Sequence, residues 1–410
     1  MKRLKHKHII TSINSIRFLF ELNGLKLEDT NSSDNLKYRI IYAFNFTWLN
    51  FDGIGELIWF CDGIWSSEHF VKLAAMFPCV IMCFLSNIKM ILHNLNEKKV
   101  ADLINSFKEL EDDEFINDTD ADDRSKEKIY EEEMKYLEKI VKIVKVLNVV
   151  TVIAFGIAPF LLMGAHYLET KEFMPVLPFY VKYYLFDPYN MKYYGLLYLH
   201  QFWSMCICLI GILGVDMLFC TMCVFIKIHF KLLEYDFERF IPIHTTPHGC
   251  LRENETITRR FKWLVKKHQK VISCSNLLNR IHSNEFMMNF FTSSFLICLS
   301  AFIITVVEEM RFRISFLSFL VTSLQQLFLL CFFGDMVMTC SINLSGSIYS
   351  SLWHSVKCNI GKQLSYALQR SQKPCKITAG GFIDVNLIVF TQIIGKTWTL
   401  FALLRTIFNP

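Results

Sequence analysis

The sequence is poor in glycine and proline, the residues that make a backbone flexible or interrupt a helix. It has nine Pro and sixteen Gly among 410 residues, against thirty-eight Phe. This composition excludes a disordered or low-complexity chain. The net charge of +5 is small and does not form the basic footprint of a nucleic-acid-binding protein, so we expect no nucleic-acid partner.

Motifs for common catalytic chemistry are also missing. There is no H-E-x-x-H, no phosphate-binding loop of the G-x-x-x-x-G-K-[ST] type and no G-x-S-x-G. Cys220 and Cys223 form a C-x-x-C without a second pair to complete a zinc site. His244, His248 and Cys250 are more readily explained as parts of a loop than as metal ligands. We therefore expect neither an enzyme nor a metal or cofactor site.

What the chain has in abundance is apolar sequence, since 52% of its residues are hydrophobic. A spanning helix needs about 20 mostly apolar residues. Seven segments meet this need, the first being the weakest because Asn50, Asp52 and Glu56 interrupt it. They are 39–60, 70–93, 142–167, 195–222, 285–308, 313–341 and 382–408. The sequence predicts an all-α, polytopic membrane protein with seven transmembrane helices, formed by 1–410 as one domain.

The distribution of Lys and Arg predicts the orientation of these spans. Thirty of these residues lie in four segments that we assign to the cytoplasm, and four lie in the connecting segments on the other side. The N-terminus is then cytoplasmic and the C-terminus extracellular. The cytoplasmic segments are 1–36, 94–141, 223–282 and 342–381.

Several of the cytoplasmic segments have helical patterns. Ile9, Ile13, Ile16 and Phe20 repeat at helical spacing and predict a short amphipathic helix on the membrane surface or on the protein. Acid–base pairs four apart in 124–148, and the periodic apolar residues of 253–282, predict helical extensions that form a cytoplasmic bundle. The acidic runs Glu109–Glu114 and Asp118–Asp123 are expected to be solvated loop.

A set of residues near the C-terminus carries a family resemblance. In order along the chain, it comprises Cys331-Phe-Phe-Gly334-Asp335, Ser345, Tyr349, Trp353, Gln369-Arg370-Ser371-Gln372-Lys373-Pro374, Ile377-Thr378-Ala379-Gly380-Gly381-Phe382, Phe390 and Phe401-Ala402-Leu403-Leu404-Arg405. This order and spacing resembles the C-terminal signature of insect odorant receptors. The gustatory receptor ending is absent, and the second cytoplasmic loop lacks the insertion of the odorant co-receptor. The chain therefore looks like a ligand-specific (tuning) subunit.

The resemblance implies a ligand-gated, non-selective cation channel that detects small volatile molecules. It implies assembly with the odorant co-receptor as a heterotetramer, in the lipids of the plasma membrane of an olfactory neuron dendrite. The last span, 382–408, would be the pore helix. In that helix Leu403 and Ile407 match the family's hydrophobic gate positions, and Thr406 matches a polar pore position.

The family's ligand site lies in the outer half of spans 2 to 6. The resemblance places candidate odorant-binding residues there, namely Met76, Phe77, Phe155, Pro159, Met163, Tyr194, Tyr198, Gln201, Phe302 and Phe316. Such pockets are mostly apolar with few polar groups. Ordinary helix packing is the competing explanation for each residue.

Two other classes of protein stay open at this point. A seven-span receptor that signals through G proteins has the same number of spans but the opposite orientation. A membrane enzyme or transporter has no motif in support.

Overall fold

The computed structural model describes residues 7–28, 32–66, 70–114, 120–173, 175–183, 191–241, 251–307, 310–353, 356 and 358–408. Within these residues the regular secondary structure is helical apart from one short hairpin, which confirms the all-α fold class. The helices are α1 (Lys7–Asn23), α2 (Ser32–Trp65), α3 (Phe70–Leu95), α4 (Glu97–Glu114), α5 (Asp120–Thr170), α6 (Met191–Arg239), α7 (Leu251–Val306), α8 (Met310–Ser350), α9 (Cys358–Ser371) and α10 (Leu387–Phe408). The hairpin pairs β1 (Thr378–Ala379) with β2 (Ile383–Asp384) in antiparallel fashion.

Six helices in the described part of the chain are long and apolar enough to cross a membrane, namely α3, α5, α6, α7, α8 and α10. The other predicted span lies in α2, a continuous helix of 34 residues. It falls outside the same criterion because Asn50, Asp52 and Glu56 lower its mean hydropathy. A multi-pass membrane protein is the architecture that these helices support.

The central helix of the bundle is α6. Its most apolar stretch is 94% buried within the chain, whereas that of α10 is only 11% buried. A helix that is apolar on every side is expected in the middle of a bundle. The low burial of α10 places it at the periphery of the bundle, where most of its apolar surface is not covered by other helices of this chain.

The amphipathic helix at the N-terminus packs on the protein. In α1 the side chains of Ile9, Ile13, Ile16 and Phe20 are buried against the rest of the bundle. The first turn is held by Glu111 of α4, whose two carboxylate oxygens accept hydrogen bonds from the backbone N–H groups of His8 (2.9 Å) and Ile9 (3.1 Å). A carboxylate at this end also complements the helix dipole.

The acidic run Glu109–Glu114 is therefore not the solvated loop that the charge pattern predicts. It forms the last turns of α4, and Glu111 and Glu114 are buried. The reason is pairing: Glu114 contacts Lys126 of α5 at 2.7 Å and also Lys267 of α7. In the second run, residues 118 and 119 lie outside the described residues, and 120–123 begin α5.

The predicted helical extensions are confirmed, and a buried charge cluster joins four of the helices. Lys126 of α5 and Lys267 of α7 each lie 2.9 Å from a carboxylate oxygen of Asp236 in α6. Buried charges need this kind of pairing to offset their desolvation. The possible metal ligands His244, His248 and Cys250 lie outside the described residues.

The predicted pore helix begins later than expected. It starts at Leu387 rather than at 382, because the hairpin occupies the preceding residues. Gly380 and Gly381 turn the hairpin with positive φ angles of 60° and 79°, which glycine adopts at no steric cost. Asn386 then caps α10, since its Oδ1 accepts a hydrogen bond from Val389 N at 2.9 Å.

Candidate functional site

A cavity lies between five helices and the segment that follows α5. The space between its walls amounts to about 510 Å³, a figure that includes its open side. Most of the lining side chains are apolar or weakly polar. The lining residues are Asp52, Glu56, Cys79, Met82, Cys83, Thr151, Phe155, Phe179, Ser204, Met205, Cys208, Leu209 and Phe319.

The strongest polar groups of the cavity lie on one face of α2. Asp52 and Glu56 are one helical turn apart and expose only 2% and 3% of their surface. Asp52 Oδ1 accepts a hydrogen bond from the Tyr183 hydroxyl at 3.2 Å and lies 3.0 Å from Nδ1 of His200. The other oxygen, Oδ2, has no hydrogen-bond partner among the described residues. This wall of the cavity therefore presents hydrogen-bond acceptors in an otherwise apolar space.

Gln201 of α6 fixes the segment that closes the cavity. Its side-chain amide accepts a hydrogen bond from Phe179 N at 3.0 Å and donates one to Phe179 O at 3.1 Å. This two-sided pairing satisfies backbone groups that would otherwise lack partners in the loop. It holds Phe179 against the cavity, 6.5 Å from the Phe155 ring. Gln201 thus shapes the cavity through Phe179 rather than by lining it.

Of the ten predicted odorant-binding residues, one lines the cavity. Phe155 of α5 does so and packs edge-on against Phe319 of α8, with ring centroids 4.4 Å apart. Tyr198 lies next to this region and donates its hydroxyl hydrogen bond to Gly156 O at 2.5 Å. Tyr194 donates to Val176 O at 3.1 Å, in the same segment that Gln201 holds.

The remaining predicted residues lie elsewhere in the bundle. Phe77 of α3 packs against Phe60 of α2 with the rings tilted and their centroids 5.2 Å apart, and the neighbouring Met76 is buried. Pro159 and Met163 are buried farther along α5. Phe302 and Phe316 form a separate cluster, described with the last helix below.

Sequence reasoning missed most of the cavity lining. Asp52 and Glu56 entered only as residues that weaken the first span. Ionisable residues inside a spanning segment are costly and usually functional, so their position was a signal. Met82, Met205 and Phe319, by contrast, differ from ordinary core residues only in where the helices place them.

The predicted gate residues lie on an uncovered face of α10. Leu403 and Ile407 are 56% and 59% exposed in the single chain, and they share a helix face because they are four residues apart. Thr406 is exposed as well, and its hydroxyl donates to Ala402 O at 2.9 Å. These residues are free to face another chain or an aqueous path.

The helix α8 contacts both the cavity and α10. Phe319 of α8 lines the cavity, while Phe328 of the same helix packs edge-on against Phe390 of α10 at 5.6 Å. At the other end of α10, Phe316 joins a buried cluster with Phe302 of α7 and Phe401 of α10. A shift of α8 on ligand binding would therefore reach α10 through direct aromatic contacts.

A buried ionic cluster lies next to the cavity. Lys89 of α3 is paired with Asp216 of α6 and with Glu285 of α7, the latter at 2.9 Å. Gln326 of α8 donates to Asp216 at 2.7 Å. A second, smaller space lined by Asp216 and Gln326 shares Met82 and Leu209 with the main cavity. Polar side chains of α3, α6, α7 and α8 thus meet next to the candidate site.

Comparison with known protein families gives one match over most of the chain. The family model described as 7tm Odorant receptor matches residues 70–397. Similar curated proteins of Drosophila melanogaster include Putative odorant receptor 92a, which is 24% identical over 393 residues and covers 90% of this chain and 87% of that protein. Odorant receptor 67c is 23% identical over 399 residues, covering 93% of this chain and 91% of that protein.

Solved structures with the same fold include the olfactory receptor OR5 of the insect Machilis hrabei. The structure of OR5 in complex with eugenol aligns with a TM-score of 0.77 at 18% identity, over 98% of this chain and 100% of that one. The structure of OR5 described without a ligand aligns with a TM-score of 0.79 at the same identity, over 98% and 99% of the two chains. At this level of identity, the alignment establishes the shared fold.

Proposed function

The chain belongs to the insect odorant receptor family, and from that premise we propose that it is the ligand-specific subunit of an odorant-gated, non-selective cation channel. It binds a small volatile molecule in the cavity between α2, α3, α5, α6 and α8. The observation that carries this proposal is the position of α8, which lines the cavity with Phe319 and contacts α10 through Phe328 and Phe390.

The chemistry of the cavity suits weak, dispersion-based recognition. Met82, Met205 and Phe155 are polarizable and contact a ligand without demanding one shape. A volatile of about ten non-hydrogen atoms, at about 0.6 kcal/mol per atom, gains roughly 6 kcal/mol. That corresponds to a dissociation constant of some tens of micromolar.

Gating requires only that the ligand bind the open state better than the closed state. A hundredfold preference supplies about 2.7 kcal/mol, enough to change a channel from rarely open to often open. In the proposed mechanism the ligand pushes on Phe155 and Phe319, α8 moves, and its contacts with α10 carry the movement to the pore. Leu403 and Ile407 form the hydrophobic constriction, which closes by excluding water.

A pore lined by α10 needs other subunits, and we propose the odorant co-receptor as the partner in a heterotetramer. The low burial of α10 within the single chain supports this, because an apolar helix with exposed Thr406 and Lys396 is better suited to an interface or pore than to lipid alone. The 7tm odorant receptor family is one of receptors and channels rather than of enzymes.

We also propose the plasma membrane of an olfactory neuron dendrite as the location, with the N-terminus in the cytoplasm. Asn31, Asn117 and Asn254 each begin an N-x-[ST] sequon and test the orientation. In the proposed orientation all three are cytoplasmic and stay unglycosylated. A glycosidase-sensitive mass shift that maps to any of the three would refute it.

The proposal is tested by recording from excised patches with no nucleotides present. Cells would express this chain with the odorant co-receptor and be challenged with a broad panel of volatiles, with the co-receptor alone as the control. We expect volatile-evoked cation currents that need both subunits. Currents that appear only in intact cells with GTP would instead support signalling through G proteins, an alternative that the family match argues against.

A further inference from the structure

Among the described residues, the carboxyl groups of Asp52 and Glu56 have fewer hydrogen-bond donors around them than their oxygens can accept. Both side chains line the cavity, and the positively ionisable group that faces them is His200 of α6, 3.0 Å from Asp52 Oδ1. No Lys or Arg is among the residues that line the cavity in the described part of the chain. Lys182, in the segment that closes the cavity, is paired with Asp62 instead.

The hydrogen-bond count of the two acids is incomplete. Asp52 receives one hydrogen bond, from the Tyr183 hydroxyl, and its Oδ2 has no partner among the described residues. Glu56 Oε2 lies 4.0 Å from the Sγ of Cys83, and a thiol is a weak donor. An acid buried without donors destabilises the site, and a ligand that supplies a donor removes part of that cost.

We propose that the cavity selects small molecules that combine an apolar body with an O–H or N–H donor, such as an alcohol or a primary amine, over molecules of the same size that carry acceptors alone. The proposal rests on the function proposed above and specifies its ligand class. The donor head binds at Asp52 Oδ2, the carboxylate oxygen that has no partner among the described residues. The apolar body lies against Phe155, Phe319 and Met205, which line the same cavity.

The test compares three ligands with equal numbers of non-hydrogen atoms, namely 1-hexanol, hexylamine and methyl pentyl ether. Their binding to the full-length chain in lipid nanodiscs is measured by calorimetry, with the heat of empty nanodiscs subtracted. We expect at least one of the two donors to bind ten or more times more tightly than the ether. Hexylamine as the tighter of the two would identify a charged head group, and 1-hexanol a neutral one.

Asp52→Asn assigns the preference to the cavity wall. The variant keeps the side-chain size but brings an N–H donor that can bind the ether oxygen, so the preference for donors falls below threefold. Glu132→Gln removes a carboxylate from α5 at an exposed position outside the cavity lining, and this control keeps the tenfold preference. If Asp52→Asn does not fold, the comparison of the three ligands on the unchanged chain still tests the proposal.

Equal or tighter binding of the ether, or no binding of either donor, would overturn the proposed ligand class. Such a result leaves the channel function intact if volatiles still evoke currents with the co-receptor. Conversely, a clear preference for donors in a chain that passes no odorant-evoked current would refute the channel function while the ligand class stands.

Discussion

Gly334 of α8 lies so close to Val385 that no larger residue fits between them. A Cβ placed on Gly334 would be 2.2 Å from the carbonyl oxygen of Val385 and 2.9 Å from its Cγ1. Val385 immediately precedes Asn386, the residue that caps α10, so this contact holds the N-terminus of α10 against α8. The glycine of the Gly334-Asp335 pair thus has a steric role at the junction that we propose for gating.

Gly334→Ala is expected to destabilise the chain by about 1–3 kcal/mol, the usual cost of forcing extra volume into a packed site. Gly346→Ala, in the same helix, is the matched control, because its Cβ would meet nothing within 4 Å. That variant should be neutral or about 0.5–1 kcal/mol more stable, since alanine favours the helix. Thermal unfolding in detergent measures both, and equal melting temperatures for the two variants would contradict the steric role.

Lys89→Met is expected to be among the more damaging single changes in the bundle. It leaves Asp216 and Glu285 without their shared cation, and breaking a buried pair in this way costs about 3–5 kcal/mol. Asp216→Asn should cost less, because Glu285 still pairs with Lys89. Lys99→Met is the control, since Lys99 is exposed and its hydrogen bond among the described residues is to the nearby Asn96. The amount of folded protein and its melting temperature are the readouts.

The docking of α1 depends on a carboxylate that caps its first turn. Glu111→Ala removes the acceptor for two backbone N–H groups and should weaken α1 by about 0.5–2 kcal/mol, the range for a lost helix cap. Hydrogen exchange of the α1 amides should then be faster, with the rest of the bundle unchanged. Glu109→Ala, at a solvent-exposed site of the same helix, should leave α1 protected. Faster exchange of α1 in both variants would argue against a specific cap.

The sequence predicts helices well in this protein because helical and apolar patterns are local. The buried face of α1 and the extension of α5 and α7 beyond their apolar segments follow directly from residue spacing. The acidic turn at Glu114 does not, because its burial depends on Lys126 and Lys267, which come from other helices. From the sequence alone, a run of acidic residues is expected to be exposed to solvent, because the basic residues that pair with it lie on other helices.

The candidate site was less predictable for the same physical reason. The sequence names Phe155 but not Phe319 among the residues that line the cavity, because nothing in the local sequence shows which neighbouring helix an aromatic side chain on an apolar helix will contact. Gln201 was placed in the site, but its role is to hold Phe179 by its backbone groups. Such a role depends on a loop whose path the sequence pattern does not specify.

Phe328→Leu should separate binding from gating. The change keeps an apolar side chain but removes the edge-on ring contact with Phe390, which is worth about 0.5–1.5 kcal/mol. If that contact stabilises the open channel, the half-maximal odorant concentration rises about two- to twelvefold, whereas the dissociation constant measured on this chain alone in nanodiscs, without the co-receptor, is unchanged. Phe291→Leu is the control, because that exposed ring packs on Phe295 of its own helix at 5.0 Å. A parallel loss of ligand binding in Phe328→Leu would place Phe328 in the site instead.

The last prediction concerns the closed state of the pore. If Leu403 and Ile407 exclude water from a narrow constriction, a polar side chain there lets water in and stabilises the conducting state. Leu403→Asn, expressed with the co-receptor, should therefore raise the current measured without odorant several-fold, and Ile407→Asn should act in the same direction. Trp398→Asn is the control, because Trp398 is also exposed but lies about 140° around the helix from Leu403. Surface labelling excludes a change in channel number. An unchanged resting current in Leu403→Asn at normal surface amounts, or an equal rise in Trp398→Asn, would show that this face of α10 is not the gate.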